Sequence, residues 1–310
     1  MTLPTGWEGP EHNFLGIDEP WCHPDRAGVF VLPAPYEHTS SYILGSDRGP
    51  SAILEASGQV EFYDEQLRCE PYREWGGIAT ASSLDLRGQV DRAAVDAIER
   101  FVSPHVGTGR FLVTLTGEHT GALGAIRAHA TRYPKMCVVQ IDAHGDLRDA
   151  YQGNPFSHAS VMARVVEDGH ALVQVGIRSI SEEEIARIEK TDRITTFFAA
   201  NILDPSGPYE GKASKWIPDV VAACGGPVYL TFDCDGLDAS SIPALGTPEP
   251  GGLGWYDTLN LITALANGPG IVGMDMQRAA RLALHQHIDV VHPRVVAAQV
   301  ASADQHEFTL

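Results

Sequence analysis

The sequence predicts a single α/β domain, a doubly wound, mostly parallel sheet with helices on both faces. Three observations predict it. Short, nearly continuous apolar runs with β-branched or aromatic content recur along the chain. Such runs suit strands buried on both faces of a parallel sheet. Segments of helical or loop character separate them, and no repeat, low-complexity tract or linker divides the chain, which favours one alternating unit.

The elements follow in order. Residues 1–27, rich in Pro, Gly, His and acidic residues, show no period and read as an irregular arm, packed over the core or against another subunit. A single folded domain is expected over 28–310. Val29–Leu32 is apolar and ends at Pro33-Ala34-Pro35, and Pro50–Ser57 has helix-forming character, with Pro50 suited to a first turn. Val90, Ala94, Ile98 and Phe101 recur at helical spacing. The apolar runs Phe111–Leu115, Cys137–Ile141, Ala171–Val175, Ile194–Phe198, Val228–Phe232 and Ile271–Met274 are the candidate buried strands. The tail after His285 fits neither pattern.

Composition narrows the partners. A chain of 310 residues with 44% hydrophobic and 20% charged residues has the make-up of a soluble globular protein. Its net charge of −18 argues against nucleic acid or an anionic membrane as a partner. The five cysteines are odd in number and widely spaced, which fits a reducing compartment better than a disulfide framework. Met1–Glu19 has no basic segment followed by an apolar run, and no apolar stretch approaches the ~20 residues that span a bilayer. A cytoplasmic, soluble protein is expected.

The chemistry gathers where candidate strands end. Phe111–Leu115 runs into Thr116-Gly117-Glu118-His119. Cys137–Ile141 runs into Asp142-Ala143-His144-Gly145-Asp146, and Val228–Phe232 into Asp233-Cys234-Asp235. Ligands of open α/β sheets bind outside the carboxyl ends of the strands, so three segments would deliver side chains to one rim. Strand alternation would point Asp142 with His144, and Asp233 with Asp235, to a common face, and turn Cys234 away into packing. Several carboxylates on a buried rim repel one another unless a cation compensates. A mixed Asp/His set suits Mn²⁺ or another borderline ion better than the thiolate set of structural zinc. Each piece alone is unremarkable, since a lone DxD caps turns; the combination points to two divalent ions on His119, Asp142, His144, Asp146, Asp233 and Asp235.

These motifs, in this order, resemble those of the ureohydrolases, the arginases, agmatinases and relatives acting on guanidino compounds. The resemblance covers most of the chain. It starts at Pro33-Ala34-Pro35-Tyr36-Glu37-His38-Thr39-Ser40-Ser41-Tyr42 and Gly49-Pro50-Ser51-Ala52-Ile53, which are agmatinase-like, and continues through GEH, DAHGD and Ser157-His158-Ala159-Ser160. It ends at Asp233-Cys234-Asp235-Gly236-Leu237-Asp238 and Gly246-Thr247-Pro248-Glu249-Pro250-Gly251-Gly252-Leu253. The resemblance implies an arginase-like fold. It also implies one metal on His119, Asp142, Asp146 and Asp233 and a second on Asp142, His144, Asp233 and Asp235, with Mn²⁺ the usual ion and Ni²⁺ compatible. Two such ions about 3.5–4 Å apart activate a shared water for attack on a planar amidine carbon. Asp146 would orient that nucleophile, and His158 would shuttle a proton to the leaving amine. A homo-oligomer, trimer or hexamer, is implied too, and a hetero-oligomer is compatible.

One departure concerns the substrate. The family carries a glutamate three residues after the Asp of a late strand, where it grips the guanidinium. Here Gly273-Met274-Asp275-Met276-Gln277-Arg278 places Arg278 at that position. An arginine there would repel a cationic guanidinium by about 4 kcal/mol for charges about 4 Å apart at intermediate dielectric. Three explanations stay open: Gln277 or a loop carboxylate serves instead, Arg278 contacts an anionic substrate group, or the chain needs a partner. The leading expectation is an agmatinase-like metal-dependent hydrolase of a C–N bond in a linear amidine, releasing urea or an analogue. The alternatives are a hydrolase of an anionic formimino or guanidino acid or another guanidine or biguanide, and a metal-binding, non-catalytic subunit of a hetero-oligomer.

Overall fold

A computed structural model describes residues 3–243 and 245–277. The first half of this region comprises Val29–Ala34 (β1), Gly49–Ser57 (α1), Pro71–Glu74 (α2), Ile78–Thr80 (β2), Asp91–Val102 (α3), Phe111–Thr116 (β3), Ala122–Ala130 (α4) and Cys137–Ile141 (β4). Val161–Glu167 (α5), Ala171–Ile177 (β5), Glu182–Glu189 (α6), Ile194–Phe198 (β6) and Ala199–Leu203 (α7) follow. Ala213–Ala223 (α8), Val228–Asp233 (β7), Trp255–Asn267 (α9) and Ile271–Gln277 (β8) complete it. Every apolar run read from the sequence is a strand. Strand β2, three residues after the Gly76-Gly77 pair, is additional.

The strands form one sheet in the order β2-β1-β3-β8-β7-β4-β5-β6, and each pairing is parallel. Alternate residues feed two cores. One face sends Val31, Val113, Val139, Leu230 and Met274 against Trp216 and Val220 of α8 and Leu261, Ile262 and Leu265 of α9. The other sends Leu32, Leu112, Val138 and Leu172 against Val95 and Ile98 of α3, Leu123 and Ile126 of α4 and Met162 of α5. The doubly wound expectation therefore holds, with helices on both faces.

Two local readings change. Val90 precedes α3 instead of lying within it and is 43% exposed, so the buried stripe is Ala94, Val95, Ile98 and Val102. The arm contributes Phe14, Leu15 and Ile17 to the α8/α9-side core, anchored by Thr80 Oγ1 and Ser57 Oγ, which accept from the N–H groups of Phe14 and Leu15.

The order of strands positions the site. Strand β8 lies between β3 and β7, and β4 lies beyond β7. The carboxyl ends of β3, β7 and β4 therefore share one rim, although about a hundred residues separate the first from the last in the chain.

Candidate active site

The face of the sheet that packs on α3, α4 and α5 turns polar one step before its carboxyl end. Leu112, Val138, Leu172 and Tyr229 form an apolar layer. Two residues further along, Thr114, Gln140, Gln174 and Thr231 are buried, as is Asp275 of β8. Register aligns them in one row, with Thr196 of β6 at its end: Thr114 opposite Asp275, Asp275 opposite Thr231, Thr231 opposite Gln140, Gln140 opposite Gln174, and Gln174 opposite Thr196. Buried polar groups need partners, and all of these but Thr114, whose hydroxyl has none, find them among their neighbours. Thr196 Oγ1 donates to Gln174 Oε1 at 2.8 Å, Gln174 Nε2 to Gln140 Oε1 at 2.6 Å, and Gln140 Nε2 to Asp142 Oδ2 at 2.8 Å. The glutamine amides also hold the carbonyls of Gly145 and His144. The row is a platform that orients the DAHGD loop.

All six expected ligands meet on this platform. His119 Nδ1 lies 3.0 Å from Asp142 Oδ2, 2.9 Å from Asp146 Oδ2 and 3.6 Å from Asp233 Oδ2. His144 Nδ1 lies 3.2 Å from Asp235 Oδ2 and 3.5 Å from Asp142 Oδ1. Two groups of donor atoms compact enough for one ion each are His119 with Asp142 and Asp146, and Asp142 with His144 and Asp235. They share Asp142. His119, Asp142, Asp146, Asp233 and Asp235 are buried, and His144 reaches the cavity.

The convergence does not come from strand alternation, as the spacing suggested. Strand β4 ends at Ile141 and β7 at Asp233, so His144 and Asp235 lie on turns. Asp142 Oδ1 accepts from His144 N at 2.7 Å, and Asp233 Oδ1 from Asp235 N at 3.1 Å. These carboxylates fold their own turns while their remaining oxygens face the site. Asp146 has a left-handed backbone, φ 51°, an uncommon conformation that Asp tolerates better than most residues. Its carbonyl accepts from Met162 N and Ala163 N at the start of α5. Gly236 lies so close to the other arm that a Cβ there would stand 2.7 Å from Asp142 N.

The donor set fits a cation. Thr231 has one hydroxyl hydrogen, which it gives to Asp275 Oδ1 at 2.8 Å. Its oxygen, 2.9 Å from His119 Nε2, must then accept from that nitrogen. Gln277, with its amide oriented to match its neighbours, likewise accepts from His119 Nε2 at 2.8 Å. The proton of neutral His119 thus sits on Nε2, and the Nδ1 lone pair faces three carboxylates. Neither His119 Nδ1 nor His144 Nδ1 makes a hydrogen bond of acceptable geometry, though both are buried. Burial opposes charge on His144, but Asp142 and Asp235 overcome it and raise the imidazole to about 11. Burial likewise opposes charge on Asp142, and His119 and His144 overcome it to hold the carboxyl well below its usual range. Both directions express one demand, positive charge among the carboxylates. Oxygen and imidazole donors in this arrangement match a hard or borderline divalent ion.

A cavity of about 230 Å³ opens beside the two groups, lined by His144, Asp146, Arg148, Tyr151, His158 and Ser179 among others. His158 is buried, and its backbone N–H donates to Thr39 Oγ1 at 3.0 Å. Arg278 lies outside the described residues, as does the tract from His285 to His292. Gln277, its suggested replacement, is buried behind His119 and does not line the cavity.

Sequence reasoning passed over three residues that build this site. Glu184 accepts from Leu147 N at 2.9 Å and completes a capping box with Ser181; the Ser-x-x-Glu spacing was a readable signal. Arg178 spreads its guanidinium over the carbonyls of Gly176, Asp235, Glu249 and Pro250 at 2.7–3.1 Å. Glu118 gathers the loop at 38–40. Neither of the last two has a local signature.

Known proteins carry the same architecture. Residues 27–280 match the arginase family. An N(1)-aminopropylagmatine ureohydrolase of Synechocystis sp. is 40% identical over 287 residues, covering 90% of each chain. An agmatinase of Bacillus anthracis is 31% identical over 267 residues, covering 83% of this chain and 86% of its own. The crystal structure of an agmatine ureohydrolase of Thermoplasma volcanium superposes with a TM-score of 0.73 at 26% identity, over 91% of this chain and 92% of that one. With two adjoining Asp/His groups at the carboxyl rim of the parallel sheet and a family match across most of its length, the chain belongs to the arginase family and is an agmatinase-like hydrolase of C–N bonds in amidines.

Proposed function

We propose that the protein hydrolyses a linear guanidino compound to urea and an amine with two divalent ions held at this site. The observation that carries the proposal is the pair of donor groups sharing Asp142 beside a cavity that also receives His158. His119, Asp142, Asp146 and Asp233 would hold one ion, and Asp142, His144, Asp233 and Asp235 the other. Such ions, Mn²⁺ or Ni²⁺, would supply a water nucleophile active at neutral pH.

The chain's own residues do the rest. Asp146, set by its left-handed backbone and by the contacts of its carbonyl with the start of α5, accepts a hydrogen bond from the nucleophile and aims it at the guanidino carbon. A C–O bond forms there as the C–N bond to the amine breaks. His158 carries the displaced proton to the leaving nitrogen, so that it departs as a neutral amine. The cavity, about 230 Å³, suits a small molecule.

Arg148 favours a second form of this reading. It lines the cavity beside Tyr151, where a guanidinium would repel the distal ammonium of a diamine-type substrate and attract a carboxylate. A guanidino acid is therefore the second candidate. The test incubates Mn²⁺- or Ni²⁺-loaded protein with agmatine, N(1)-aminopropylagmatine, 4-guanidinobutyrate and formiminoglutamate, and measures urea, amine and ammonia. Urea from one of the guanidino compounds, abolished by chelation, is expected. Two ions bound per chain with no product from any compound would overturn the reading and leave a metal-binding partner subunit.

A further inference from the structure

We propose that Glu118 and Thr39 are positioning residues that hold the ring proton of His158 on Nδ1, so that Nε2 is the nitrogen exchanging protons in the cavity. The inference deepens the proton-transfer role given to His158 above and rests on it for its catalytic meaning.

The argument counts hydrogens. Glu118 is 1% exposed, and six donors converge on its two carboxylate oxygens. Oε2 accepts from the backbone N–H groups of His38, Thr39 and Ser40 at 3.0, 2.7 and 2.9 Å and from Ser40 Oγ at 3.2 Å. Oε1 accepts from Thr120 Oγ1 at 2.9 Å and from Thr39 Oγ1 at 2.7 Å. A carboxylate offers lone pairs and no hydrogen, so the Thr39 hydroxyl is the donor in the last contact. That spends its single hydrogen.

Thr39 Oγ1 retains two lone pairs. One accepts the His158 backbone N–H at 3.0 Å. The ring Nδ1 of the same residue stands 3.1 Å away. With no hydrogen left on the threonine, this contact is a hydrogen bond only if Nδ1 carries the proton. The neutral ring then has its acceptor on Nε2, on the side opposite Thr39. Loop 38–40 and the residue before ligand His119 thus select a tautomer at His158, which lies 119 positions from Thr39 in sequence.

The consequence for hydrolysis is a defined route. Nε2 takes the proton released as the water oxygen bonds to the guanidino carbon, and gives it to the nitrogen leaving that carbon. The ring ends as it began, with no net gain of charge. While it is doubly protonated, the Nδ1–H···Thr39···Glu118 chain carries its charge toward a carboxylate.

Thr39→Val keeps the side-chain shape and removes the hydroxyl, and Thr39→Ser restores it. Uniformly labelled full-length chain, with the His158 ring signals assigned by difference against His158→Gln, reports the tautomer through imidazole ¹⁵N shifts at alkaline pH. The parent and Thr39→Ser should show the Nδ1–H form, and Thr39→Val should shift toward Nε2–H. In turnover, Thr39→Val should lose about a hundredfold in kcat, as misplacement of a proton-transfer group costs, with KM changed far less, and Thr39→Ser should recover most of it. If Thr39→Val does not fold, Glu118→Gln gives the same readings, because an amide nitrogen facing Thr39 frees the hydroxyl to donate to Nδ1. An Nε2–H ring in the parent, or an unchanged ring in the variants, overturns the inference. The ring shifts are read without substrate, so a failure of the hydrolase reading shows separately, as absent turnover with the tautomer as stated.

Discussion

Replacing Arg178 with methionine should cost about 4 kcal/mol of folding stability, and the sum can be followed contact by contact. The guanidinium makes four hydrogen bonds of 3.1 Å or less, to the carbonyls of Gly176, Asp235, Glu249 and Pro250. The Glu249 and Pro250 residues reach solvent, so water replaces the arginine there at little cost. Gly176 and Asp235 are buried. Each of their carbonyls left without a donor costs about 1–3 kcal/mol, which brings the pair to about 2–6 kcal/mol. Methionine retains part of the packing of the stem. Lysine keeps the charge with fewer donors in a different geometry and should recover less than half of the loss. Urea denaturation of the metal-free chains, with unchanged slope, measures the difference. Because Arg178 grips the carbonyl of Asp235, a proposed ligand, Arg178→Met should also weaken metal binding at the Asp142/His144/Asp235 group more than at the other. A loss below about 1 kcal/mol would show that water reaches Gly176 and Asp235 and would refute the reasoning.

Asp142→Asn should weaken both ions together, since Asp142 belongs to both donor groups, whereas His144→Asn should weaken one; stepwise calorimetric titration with Mn²⁺ separates the cases, and independent loss in Asp142→Asn would contradict a shared ligand. Arg148→Glu should move relative kcat/KM from guanidino acids toward agmatine-like cations by at least about tenfold, worth about 1.4 kcal/mol, and an unchanged ratio would remove Arg148 from substrate selection. His129 gives a pH dependence remote from the site: burial lowers its imidazole to about 4, and its Nδ1 engages the carbonyl of Ala125 at 2.8 Å. Its folded value lies below the unfolded one near 6.5, so the neutral ring's contribution is complete above pH 6.5 and is lost as pH falls toward 4, in total about 3 kcal/mol. Denaturant midpoints at pH 7.5 and 5 should differ in the parent and differ by less in His129→Leu; an equal drop in both would assign the acid sensitivity elsewhere.

Much of the fold was legible because buried parallel strands advertise themselves. Phe111–Leu115, Cys137–Ile141 and Val228–Phe232 stand out as apolar runs, and the polar residues closing them were the six that meet in space. Strand β2 escaped notice, since three residues after two glycines carry no period. The spacing of Asp142 and His144 led to the right convergence for the wrong reason: the strand stops at Ile141, and side-chain-to-backbone bonds within the turns bring the proposed ligands together. Arg178 and Glu118 stayed silent because their partners lie in other segments. Five of Glu118's six donors come from residues about 80 positions away, and the Glu249 and Pro250 carbonyls at Arg178 are more than 70 away. The polar row under the site was visible as single Thr or Gln residues inside apolar strands, but its meaning required the register.

The place of β8 in the sheet has a consequence for how the chain comes to exist. Strands β3 and β7 flank a slot whose occupant, Ile271–Gln277, is the last strand of the described region. During synthesis, every ligand of the proposed metal centre emerges before the strand that draws β3 up to β7. Until then His119 has no fixed distance from Asp233, and two central strands expose unpaired edges to other nascent chains. Closure joins contacts distant in sequence and is correspondingly slow. A ribosome stalled after α9 should therefore carry a chain rich in folded helices but without a formed centre, so that arrival of β8 starts both the sheet's protection from aggregation and its capacity to hold metal.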